Sequence, residues 1–219
     1  MRGIFSVDSP VMRALIKLFD CICASILWLL FSLPIVTMGA ASAALYTTVR
    51  RYLRRDEGHL WSTFWGAFRE NLRRSTLVWL AALGVLALLA ADALVFRGLK
   101  LGGSPLGDLY WVILALSCGA VTWTAYLSAY GARFSGRARD VLRFSFILMA
   151  AHPVRALGVF LPILAGAALV ITGPQWAAIV PTAVCWLNSV VIEQVFLLHM
   201  RPEDAEKAQG GSSERESSR

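Results

Sequence analysis

Between Ser25 and Arg51 the chain reads SILWLLFSLPIVTMGAASAALYTTVRR, with no charged residue before the closing arginines. A soluble amphipathic helix would confine its apolar residues to one stripe. Here they run all round, and small residues stand where two backbones could touch, so the stretch reads as a membrane hairpin. Pro34 has no backbone N–H to donate, and the first arm should end or kink there. The second arm, Ile35 to Val49, has 15 residues. As a helix it would be about 22 Å long, short of a hydrocarbon core of about 30 Å. It reads as a thin span, a span lengthened by Tyr52 and snorkelling arginines, or a re-entrant segment. Gly39, Ala40, Ala41, Ala43 and Ala44 predict close packing inside a bundle.

The rest of the chain repeats the theme. Apolar segments fall at roughly 15–33, 35–50, 75–96, 109–130, 154–172 and 175–199. The fold expected is an all-α integral membrane protein of about six transmembrane helices, the second one short. Overall, 57% of the residues are apolar, against roughly 45–50% in soluble domains. Asp8-Ser9-Pro10 looks like a helix start, a capping side chain before a first-turn proline. Ala41-Ser42-Ala43 resembles a signal-peptide cleavage site, but the preceding region would be long and would contain Asp20.

Within WSTFWGAFRENLRRS, the apolar residues Trp61, Phe64, Trp65, Phe68 and Leu72 share one helical face. Arg69, Glu70, Arg73 and Arg74 supply the polar side. This predicts an amphipathic helix over 59–73, lying in the headgroup plane or packed on protein. Residues 1–200 form one membrane domain in this reading. The Ser/Gly-rich, charged stretch 201–219 reads as a disordered cytoplasmic tail.

Charge placement gives the threading. The chain carries 21 Lys and Arg and a net charge of +7. Three of the basic residues fall within residues 1–20, seven in the 50–74 connection, five in 133–155 and four in the tail. Only Arg97 and Lys100 remain. Basic residues are retained on the cytoplasmic side, which predicts cytoplasmic N- and C-termini. Clustered beside helix ends, this charge suits anionic lipid. No nucleic-acid motif accompanies it, and nucleic acid is not expected as a partner. A faint echo relates 59–130 to 137–199, pairing Phe68, Asn71 and Arg74 with Met149, His152 and Arg155 at one constant offset of 81.

The run from Trp28 to Leu80 resembles the YesL-like family of bacterial polytopic membrane proteins, whose molecular activity is unknown. The marks are Trp28, Ser32-Leu33-Pro34-Ile35-Val36-Thr37, Gly39-Ala40-Ala41, Ala44-Leu45-Tyr46, Arg55-Asp56-Glu57-Gly58, and Phe64, Phe68 and Asn71. They cover the N-terminal third. The resemblance implies a multi-pass protein of the bacterial cytoplasmic membrane with an accessory role in carbohydrate uptake. The partners it implies are the lipid bilayer and a carbohydrate-transporter subunit, or a second copy of the chain.

No H-E-x-x-H, G-x-S-x-G, P-loop or dinucleotide fingerprint is present, so no catalytic residue, cofactor or enzymatic activity is expected. His59, His152 and His199 are scattered near helix boundaries and predict no metal site. Cys21, Cys23, Cys118 and Cys185 lie in apolar runs and read as inert thiols. Glu193 stands out, six residues inside His199 and hence about 9 Å along a helix. Charge at that depth faces the bundle interior or water. With Asn188 it could line a cavity or an ion path; alternatively it pairs with an arginine from a cytoplasmic connection. Asp92 is expected to pair with Arg97 or Lys100. Pro34, Pro162 and Pro181 mark helix breaks or ordinary kinks.

Overall fold

The computed structural model describes residues 10–134 and 137–199; the expected tail at 201–219 lies outside them. Among the described residues the chain is entirely helical and loop, without strands. The helices are α1 (Pro10–Ser32), α2 (Met38–Thr48), α3 (Leu60–Leu101), α4 (Leu109–Arg133), α5 (Ala138–Ala151), α6 (Pro153–Thr172) and α7 (Val180–His199). Four of them, α1, α3, α4 and α6, are long and apolar enough to cross a membrane. The all-α membrane fold is therefore present, and four of the six expected segments meet that length and composition among the described residues. α7 is apolar over the shorter stretch Val180–Phe196. α2 has 11 residues, about 17 Å of helix.

The amphipathic segment at 59–73 is no separate element. It forms the first third of α3, a continuous helix of 42 residues, about 63 Å long. No proline interrupts it, so backbone bonding carries straight from the basic stretch into the apolar one. Its inner face is covered by protein: Phe31 of α1 meets Phe64 at 5.7 Å and Phe68 at 4.9 Å, centroid to centroid. Trp61 and Trp65 stay exposed.

The offset seen in the sequence explains a difference here. Leu72 continues α3, whereas its counterpart Pro153 opens α6 after a break at His152. Proline lacks the N–H that would continue a helix but suits the first turn. At this offset the first stretch is one continuous helix and the second is two.

The prolines sort the same way. Pro34 sits at a true break, between the end of α1 and a tight helical turn at Ile35–Thr37. Pro162 lies inside an unbroken α6. Pro181 stands in the first turn of α7, where its missing N–H has no intrahelical use.

The α1–α2 hairpin is held at three levels. The Trp28 indole N–H donates to Ser42 Oγ at 3.1 Å, and the Tyr52 hydroxyl to Asp20 Oδ2 at 2.9 Å. At the apex, the Trp79 indole N–H donates to the Ile35 carbonyl at 2.8 Å, which sets the turn against the middle of α3. Ala40, Ala41, Ala43 and Ala44 are fully buried. A Cβ on Gly39 would run into the Cβ of Trp79 and lie 2.9 Å from the Ser75 carbonyl oxygen. That absence of a side chain lets α2 approach α3.

Across the bundle, Ser25 of α1 meets the start of α7. Its Oγ lies 2.7 Å from Thr182 Oγ1 and accepts the Thr182 backbone N–H at 3.2 Å. First-turn N–H groups have no partner within their own helix, so α1 supplies the cap that α7 lacks.

Candidate functional site

Two features occupy the interior, one above the other. The first is a cavity of about 540 Å³ walled by residues of α1, α2, α3, α4, α6 and α7. Its lining is mostly apolar, with Trp28, Val78 and Val184 among the walls, and it takes in Gly39 and Pro181. Polar groups on it include Ser42, Tyr46, Ser128 and Asn188. Asn188 and Tyr46 are buried, and neither Asn188 Oδ1 nor Tyr46 Oη has a hydrogen-bond partner among the described residues.

The second feature is an ion cluster where α2, α4 and α7 come together. Arg50 Nε lies 2.7 Å from Glu193 Oε1. Arg133 Nη1 is 3.7 Å from the same oxygen, and Arg54 Nη1 is 3.9 Å from Oε2. Arg54 Nη1 also donates to Ser189 Oγ at 3.4 Å. The Glu193 side chain is 15% exposed, those of Arg50, Arg54 and Arg133 22%, 31% and 8%. Arg133 also lies over the rings of Phe134 and Phe196.

Local sequence builds this cluster. Arg50 lies in a widened, π-type turn at Val49–Leu53, and Arg54 follows directly after it. Four residues apart, the two project from one side and both reach Glu193. Arg133 is the last residue of α4, where a cation favours the exposed carbonyls. Past the turn, Asp56 takes a left-handed backbone, φ 52°, and Gly58 another at φ 82°. The chain thereby reverses into α3.

The predicted residues do not form one site. Asn188 lines the cavity, whereas Glu193, five residues on, points into the cluster and is absent from the cavity wall. Both arginines nearest Glu193 come from the basic connections, so the pairing with a connection arginine is the arrangement found. Lys100 pairs with Asp108 at 3.6 Å, not with Asp92. No group of His, Cys, Asp and Glu among the described residues could hold a metal ion. The hydroxyls of Ser117, Thr122 and Thr124 all bond back to their own helix.

Sequence reasoning passed over Tyr46 and Arg133. Tyr46 hid within an alanine-rich run, and Arg133 was one of many arginines. The signal for Arg133 was its place at the last turn of a span, level with Glu193.

One further basic contact lies beside the cavity. The Arg74 guanidinium donates to the Gly131 carbonyl and, at 3.3 Å, to Asn71 Oδ1. It ties the basic third of α3 to the end of α4.

A family model described as "Protein of unknown function, DUF624" matches residues 21–93, which take in about half of α1, all of α2 and much of α3. That is 73 of 219 residues. No curated protein and no solved structure matches the chain.

Proposed function

We propose that this chain is a non-enzymatic component of the bacterial cytoplasmic membrane that acts on another membrane protein, in an accessory or regulatory role. The observation that carries this reading is the engagement of Glu193 by Arg50 at 2.7 Å. The deepest carboxylate of the last helix clasps helix ends together, and the cavity stops at Asn188 and Ile192 without reaching it. Such an arrangement suits a part that holds a shape more than one that passes cargo. Carbohydrate uptake as the process served rests on the family resemblance alone. Cytoplasmic termini rest on the basic residues gathered in one set of connections.

Purification of the full chain from mild detergent should recover a transporter subunit. Repeated recovery of the chain alone would overturn the accessory role. Membrane-impermeant thiol labelling of a single cysteine placed at Glu57, in a background without the four native cysteines, should fail from outside intact cells. Labelling there would overturn the orientation.

A second reading, a small transporter, draws on the cavity and its polar residues Asn188 and Tyr46. It requires that reconstituted vesicles move a solute and that Glu193→Gln abolish the movement. Unchanged transport by the variant would remove Glu193 from such a path.

A further inference from the structure

The cavity carries two polar groups that the fold leaves unsatisfied. Asn188 and Tyr46 stand on its wall at 5% and 3% exposure, and neither Asn188 Oδ1 nor Tyr46 Oη meets a hydrogen-bond partner among the described residues. Polar groups buried without a partner are costly, and native structures leave few of them. Three neighbouring hydroxyls are already engaged. Ser42 Oγ accepts the Trp28 indole N–H at 3.1 Å, and Thr124 and Ser128 donate to carbonyls of their own helix at 2.7 and 2.9 Å.

Charge on the wall is sparse. Among the described residues that line the space, Arg74 is the one ionic side chain, and its guanidinium donates to the Gly131 carbonyl and to Asn71 Oδ1. No carboxylate stands among them, so a cation would enter without a counter-charge.

Size and access narrow the occupant further. A volume of about 540 Å³ falls in the range of small-molecule sites and far exceeds the share of about 30 Å³ that one water takes in the liquid. Leu29 of α1 and Ile171 of α6 both line the cavity and are exposed on the outside of the bundle, Ile171 at 85%. The space thus reaches the apolar surface that lipid covers. A polyol would bring in more hydroxyls than the two open groups can satisfy. One alkyl chain with one hydrogen-bonding head matches both the apolar walls and those two groups.

We propose that the cavity takes up a single-chain lipid with an uncharged hydroxyl or amide head, its chain along the apolar walls and its head on Asn188 and Tyr46. Occupancy of this kind is independent of the accessory role and requires no transport.

The test uses the full chain in phosphatidylcholine nanodiscs, with Trp28 and Trp79 on the cavity wall as reporters. An ω-bromo fatty alcohol serves as ligand and quencher. The bromoalkane of the same chain length and the matching ω-bromo trimethylammonium are the controls. Exposed tryptophans, Trp111 and Trp186 among them, give a background that rises with partition and does not saturate. The alcohol should add a saturable phase, the bromoalkane should bind at least about fivefold more weakly, as the loss of one hydrogen bond implies, and the cation should show no such phase. Asn188→Leu or Tyr46→Phe should weaken the alcohol by a similar factor and leave the bromoalkane unchanged; weakening by either one places the head at that side chain. Neither oxygen gives up a hydrogen bond within the described residues, so both variants should fold. A cavity filled by water alone gives no saturable phase. That result, equal binding of alcohol and bromoalkane, saturable binding of the cation, or two variants that both bind the alcohol like the parent, overturns the proposal.

Discussion

Arg50 and Glu193 meet at 2.7 Å although they stand at the end of the second helix and near the end of the last. The contact closes the bundle at its arginine-rich end, where α2, α4 and α7 converge. A partly buried ion pair is weak evidence for stability when both partners are removed, yet breaking it from one side is costly.

Arg50→Ala should therefore destabilise the protein by about 2–3 kcal/mol, less than the roughly 3–5 kcal/mol of an uncompensated buried charge, since Arg133 and Arg54 remain near. Thermal unfolding in detergent measures it. A double variant with Glu193→Gln should recover part of the loss, because the orphaned carboxylate is then gone. If the double variant loses as much as the two single losses added, the pair is not coupled.

Gly39→Ala should cost about 1–3 kcal/mol, the usual range for overpacking. The added methyl meets the Trp79 Cβ and the Ser75 carbonyl, and neither can swing away as the tip of a flexible side chain would. Gly84→Ala, where a Cβ meets nothing within 4 Å, is the control and should be neutral or slightly stabilising in mid-helix. Equal midpoints for the two variants would count against the close α2–α3 approach.

Ser25→Ala removes the acceptor of the Thr182 backbone N–H and the partner of its hydroxyl. Both side chains are fully buried, so the groups left behind have no water to turn to. A loss of about 1–3 kcal/mol is expected. Hydrogen exchange at the start of α7 should rise, while exchange at the α3–α4 end stays as in the parent.

Tyr52 gives a pH dependence. Burial first, then the hydrogen bond to Asp20 and that residue's charge, hold its phenol above the ordinary value. A group whose folded pKa is raised contributes stability that is fully present below its unfolded value, about 10 for tyrosine, and lost as pH rises through the folded value. Stability should thus fall in the alkaline range. Tyr52→Phe should lower stability at neutral pH and flatten that alkaline fall relative to the parent. A parallel fall in both proteins would exclude this phenol as its source.

Much of the architecture was legible because it depends on near neighbours in the chain. The break at Pro34, the apolar lengths of α1, α4 and α6, and the small residues of α2 each follow from local properties: a missing N–H, a run of uncharged side chains, an absent Cβ. The stretch 59–73, read as an element of its own, is instructive for the same reason. Composition changes sharply near Arg74, but a helix ends only where a backbone bond is lost, and nothing between Leu60 and Leu101 removes one. The fate of Glu193 was half visible. Its depth called for a partner, and the connections were full of arginines, but one-dimensional spacing could not say that Arg50, Arg54 and Arg133 would be the three to reach it.

Residue chemistry along the chain was enough to read the membrane-crossing lengths, the division of the first hairpin at Pro34, and the gathering of positive charge at one set of helix ends. These follow from transfer energies and local bonding, which each segment carries alone. Packing in three dimensions decided that Asn188 faces a cavity while Glu193, barely more than one turn away, joins an ion cluster with arginines of two connections. It also decided that Ser25 caps a helix far along the chain. Those outcomes depend on helix crossing and rotation, and these are set when many side chains pack at once.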